Sequence, residues 1–120
     1  MSGAGSEPNL DKVFELRTYV AREGRLDDLQ RWWRDHIAVV YCDHLHVRGI
    51  FVSQPKDEPA QGISVLIEYD RLADADRAIV SLRADPRVAA LNALPDLQGP
   101  DIVEGYTRVF LYPTDFSPPV

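Results

Sequence analysis

Hydrophobic and polar positions alternate through Phe14-Glu15-Leu16-Arg17-Thr18-Tyr19, placing Phe14, Leu16 and Thr18 on one face of a strand and Glu15, Arg17 and Tyr19 on the other. The last strand-like stretch, Glu104 to Tyr112, repeats the pattern, with Thr107, Val109 and Leu111 opposed to Tyr106, Arg108, Phe110 and Tyr112. Between them the period changes. Leu26, Leu29, Trp33, Ile37 and Val40 recur at steps of three and four, which predicts a helix from the Gly24 turn to near His44. His46 to Ser53 and Ile63 to Tyr69 read as two further strands, separated by a polar loop with Pro55, Pro59 and Gly62. Ala75, Ile79 and Leu82 mark a second helix from about Ala73 to Ala84, which Asp85-Pro86 interrupts. Val88 to Leu94 forms a short extra helix, and Gly99-Pro100 turns the chain into the final strand.

The order βαββα(α)β is the ferredoxin-like plan of an α+β domain, a four-stranded sheet with helices over one face. Two strands that each gather Tyr and Arg on one side predict that the sheet buries its other side under the helices and lines a cavity with this one. An uncovered sheet face carrying Leu66, Phe110 and aromatic rings predicts burial against a second copy, as a two-fold homodimer enclosing a barrel-like interior.

Charge and composition narrow the function classes. The 120 residues carry 13 Lys and Arg against 19 Asp and Glu, a net charge of −6, which disfavours nucleic acid as a partner. The longest apolar run, Ile37 to Cys42, is far below the roughly 20 residues needed to span a bilayer, so no membrane association is expected. Residues 1–12 read as a flexible leader without secretory features, 13–112 as the folded domain and 113–120 as a Pro-containing tail. A single cysteine, Cys42, excludes an internal disulfide and reads as buried and inert, and a cytoplasmic location is expected.

Phe14-Glu15-Leu16-Arg17-Thr18-Tyr19, then Gly24-Arg25-Leu26-Asp27-Asp28-Leu29 and Trp33-Arg34-Asp35-His36, resemble the opening of the NIPSNAP family. Leu66-Ile67-Glu68-Tyr69-Asp70-Arg71-Leu72 and Leu82-Arg83-Ala84-Asp85-Pro86 are similar to its third strand and second helix, so the likeness runs from about Val13 to Tyr112. The resemblance implies a dimeric α+β barrel, a fold shared with small cofactor-independent monooxygenases, polyketide cyclases, dehydratases and haem-binding enzymes. It does not imply one reaction.

The candidate catalytic residues are Arg17, Glu68 and His36. Arg17 offers a planar donor fork for a carboxylate or enolate, or forms a structural ion pair with Glu15 two positions away. Glu68, in an otherwise apolar strand, is a general base if desolvation raises its pKa, or a partner of Arg17 or Arg108 that stays ionised. His36 borders the apolar helical stripe and would titrate near neutral pH, or simply packs there. Tyr19, Tyr106 and Arg108 are candidate ligand-binding residues, and Trp32, which cannot share the core face with Trp33, is placed at the pocket mouth or the dimer interface. Cys42, Asp43, His44 and His46 match no zinc spacing, so no metal is expected, and no nucleotide motif is present, so no cofactor is expected. Two functions fit: a small-molecule enzyme performing proton transfer, cyclisation or oxidation of an aromatic or polyketide-like metabolite, and a non-catalytic binding or interaction protein of the same fold.

Overall fold

The computed structural model describes residues 11–91 and 99–120. The leader through Leu10 and the expected end of the short helix at Leu94-Pro95 lie outside the described residues. Strand β1 (Val13–Ala21) leads through Gly24, the one described glycine with positive φ (77°), into helix α1 (Leu26–Trp32). A π-helical turn, Trp33–Ile37, joins α1 to α2 (Ala38–His44), and the Ala38 N–H donates to the Trp33 carbonyl five residues back. Strands β2 (His46–Ser53) and β3 (Gly62–Tyr69) follow, then α3 (Leu72–Ala84), α4 (Pro86–Leu91), a single helical turn α5 (Gly99–Ile102) and β4 (Val103–Leu111). Gly99-Pro100, expected as a plain turn, begins α5.

All strand pairings are antiparallel, in the order β2-β3-β1-β4, the ferredoxin-like arrangement. Gly62 opens β3 against the backbone of β1: a Cβ there would stand 2.2 Å from the Tyr19 carbonyl oxygen, so the two strands meet this closely only without a side chain. The helices cover one face of the sheet. Leu29, Trp33, Val40, Ala75 and Leu82 from that layer pack on Val65, Ile67 and Tyr69 of β3 to form the core.

The covered face is the opposite of the one expected. Register places Arg17 between Val65 and Arg108, Glu15 between Ile67 and Phe110, and Tyr19 between Ile63 and Tyr106, all on the side of the core. Glu15 is fully buried and Arg17 nearly so. Phe14, Leu16 and Thr18, expected beneath the helices, lie with Ser64, Leu66, Val109 and Leu111 on the open face and are only half-buried. Leu66 and Phe110, expected together, are therefore on opposite sides. The reason is energetic. Glu15 and Arg17 neutralise each other and can be buried, so their polarity does not mark solvent. The tail returns over one end of the open face, where the Lys12 ammonium donates to the Val120 carbonyl at 2.9 Å and Pro119 approaches Leu66 across a groove.

Candidate functional site

Between the sheet and the helices lies a cavity of about 300 Å³, at the small end of the range for ligand pockets. Its floor is Arg17 and Tyr19 of β1 with Tyr106 and Arg108 of β4. Its roof combines Trp32, Trp33 and Tyr41 around the π-helical turn with apolar residues and Arg83 of α3. Strand alternation explains the floor, since residues two apart share a face. The roof follows from Trp33, Ile37 and Tyr41, which recur at four-residue steps and are all buried, the π turn lying between the first two.

Arg17 and Arg108 are directly opposed on neighbouring strands, a pairing of like charges that is unfavourable by itself. Glu15 resolves it. Its carboxylate accepts from Arg17 Nε at 2.8 Å, Arg108 Nε at 2.6 Å and the Tyr69 hydroxyl at 2.7 Å. Burial alone would raise the Glu15 carboxyl, but the bonds from Arg108, Arg17 and Tyr69 outweigh it and hold the group below its ordinary value of 4.5. Glu15 is thus an anchor for two cations and has no proton to give.

Arg17 Nη1 donates onward to the Tyr41 hydroxyl at 3.2 Å, and Tyr41 shares a 2.5 Å hydrogen bond with the Tyr19 hydroxyl. Burial, with Tyr41 beside it, pushes the Tyr19 phenol well above the ordinary tyrosine value, so it stays neutral at physiological pH. The Tyr19 ring lies 5.4 Å from Trp33 and stacks on Tyr106 at 5.7 Å, which makes an aromatic wall. The indole Nε1 atoms of Trp32 and Trp33 are buried without a hydrogen-bond partner. An acceptor reaching either would recover about 1–3 kcal/mol of desolvation cost.

The structure therefore brings Arg17, Tyr19, Trp32, Tyr106 and Arg108 to one cavity. Trp32, one of two neighbouring indoles, is in the roof together with Trp33. His36 is half-buried on the π-helical turn and is not part of the lining. Glu68, expected in the cavity as a base or a partner of Arg17 or Arg108, is instead on the open face, where its partners are Arg48 at 2.5 Å and Lys12 at 3.5 Å. Burial raises and these cations lower its carboxyl, which ends below the ordinary value. Cys42, expected to be buried, is exposed, and His44 bonds Asp85 at 2.8 Å. Among the described residues no three His, Cys, Asp or Glu side chains gather in a way that could hold a metal ion, and no helix is long and apolar enough to cross a membrane.

Sequence reasoning missed Tyr41, Arg83 and Tyr69. Tyr41 carried a signal: it follows Ile37 by four positions on the buried stripe and is the one residue of that stripe with a hydroxyl. Tyr69 shares the face of Val65 and Ile67 by alternation, a signal of position but not of role, and Arg83 had none.

The fold has close counterparts. A NIPSNAP family protein from Agrobacterium tumefaciens is 26% identical with a TM-score of 0.74, the match covering 89% of this chain and 90% of the other. An uncharacterised NIPSNAP-like domain protein from Burkholderia xenovorans has the same TM-score at 18% identity, over 92% of both chains. More distantly, a putative antibiotic biosynthesis monooxygenase from Chloroflexus aurantiacus aligns with a TM-score of 0.52 and 13% identity over 86% of this chain and 93% of that one. No functionally curated protein matches in sequence. The NIPSNAP family model matches residues 14–118, a span that takes in all of the sheet but its first residue and every described wall of the cavity, and the chain belongs to the NIPSNAP family.

Proposed function

We propose that the cavity between sheet and helices binds a small aromatic or polyketide-like metabolite and supports its proton transfer, cyclisation or oxidation without a cofactor. The observation that carries this reading is the Arg17–Glu15–Arg108 cluster in the cavity floor beside a stacked aromatic wall. Arg17 and Arg108 hold negative charge that develops on the ligand, and preorganised donors in a shielded site act there at little reorganisation cost. Tyr19 and Tyr106 orient the ring, and Trp32 closes the roof. His36 and Glu68 stand off the cavity and have no part in the proposal. A second copy covers the open sheet face, where Leu16, Leu66, Val109 and Leu111 form an apolar surface, and makes a homodimer.

One observation favours a second reading, ligand binding without catalysis: among the described residues the lining contains neither a carboxylate nor an imidazole to act as general base. Native mass spectrometry of gently purified protein tests both the binding and the assembly. A dimer with a stoichiometric small molecule is the expected result and identifies the chemical class to assay for turnover. A monomer with an empty cavity that takes up no aromatic compound on screening would overturn the proposal.

A further inference from the structure

The charge of the cavity wall defines the ligand more closely, if the cavity binds small molecules as proposed above. Arg17 and Arg108 come from the sheet and Arg83 from α3, while no described lining residue is acidic. Glu15 lies behind the floor and neutralises one charge of the Arg17–Arg108 pair, which leaves the cluster one positive charge in excess. Glu15 cannot be displaced to make room, because it is fully buried and also bonded by Tyr69. The remaining polar groups of the lining include the hydroxyls of Tyr19, Tyr41 and Tyr106. Arg108 retains solvent access, with 32% of its side chain exposed, whereas Tyr41 is buried, so the arginine is the more accessible of the two.

From this arrangement we infer that the site takes its ligand as an oxyanion, drawing a weakly acidic phenol or enol into its ionised form on binding. The O–H bond of the ligand breaks, the oxygen keeps the electron pair beside Arg108 and Arg17, and the proton passes to solvent water. No lining group receives it, since the lining offers no carboxylate or imidazole among the described residues and a guanidinium accepts no further proton. The aromatic wall of Trp33, Tyr19 and Tyr106 selects a planar carrier for that oxygen. The site would then need no internal base, because the ligand's own acidity, increased by the arginines, produces the electron-rich form.

Titration of 4-nitrophenol in the presence of the full-length protein, followed by the visible absorbance of its phenolate, tests the inference. The non-ionisable 4-nitroanisole, measured by equilibrium dialysis, is the control for the cavity itself. The expected result is an ionisation midpoint for bound nitrophenol lowered by about one pH unit, a tenfold preference for the anion. Arg108→Gln should abolish that shift, while nitroanisole binding to the unaltered protein reports on the cavity independently. An unchanged or raised midpoint, or binding of nitroanisole alone, would overturn the oxyanion inference and leave the cavity standing as a ligand site. Failure of both compounds to bind would overturn the cavity reading together with the inference.

Discussion

The two faces of β1 invert the relation between polarity and burial that the neighbouring β3 keeps, with Val65 and Ile67 buried on the helix side. On the helix side β1 presents Glu15, Arg17 and Tyr19, and the two charged residues are among the most buried in the chain. On the open side it presents Phe14, Leu16, Thr18 and Val20, which are only half-buried. Charge is therefore held where its desolvation cost is greatest, and apolar surface is left where water can reach it. A buried ion pair is poor evidence of stability for its own sake, because a well-packed apolar replacement often does as well. Its presence in a cavity wall points to recognition. The apolar open face points to a partner, since a sheet face of this kind is more stable covered.

The sharpest way to break the contrast is Glu15→Gln. It leaves Arg17 buried without its counter-charge and should cost about 3–5 kcal/mol in chemical denaturation. The double replacement Glu15→Leu with Arg17→Met should recover at least half of that loss and abolish ligand binding; a double variant as unstable as Glu15→Gln would mark the cluster as structural. On the open face, Leu66→Asp should weaken self-association at least a hundredfold, about 3 kcal/mol, in sedimentation experiments, with the circular dichroism of the fold retained. Acid should reproduce the first effect in part. The Glu15 carboxyl is lowered in the folded protein, so its contribution is complete above the ordinary value of 4.5 and disappears as pH falls through the folded value. The stability difference between wild type and Glu15→Gln should accordingly narrow below pH 4.5. The smallest effect belongs to Glu68→Gln. Its cations Arg48 and Lys12 sit on the partly hydrated open face, so a loss within about 1 kcal/mol and unchanged ligand binding are expected.

Much of this contrast was legible in the residues. Alternation assigned Glu15, Arg17 and Tyr19 to one face, and that grouping holds in the structure. Which face the helices cover was not legible from polarity, because a charged residue inside a neutralising cluster has the same letter as one in water. Glu68 shows the same limit: it was expected in the cavity, and its partners on the open face, Arg48 and Lys12, come from an irregular pairing near Gly49 and from the residue before β1, neither of which has a periodic signal. The π-helical turn was hidden for a related reason. Trp33, Ile37 and Val40 fit an ordinary helical stripe as well as the observed one.

That turn divides the long helical segment into two parts with independent phase. Each residue of an α-helix advances about 100° around the axis, so removing one residue between Trp33 and Ile37 would leave a regular helix while rotating Ala38–His44 by that angle against Leu26–Trp32. Tyr41 would swing away from Tyr19 and Arg17, while the tryptophan half of the roof stayed in place. A single added residue is thus what lets one helix contribute indoles from one phase and a phenol from another. Related sequences that shorten this segment by one position should have cavities with the same aromatic entrance and a different polar end.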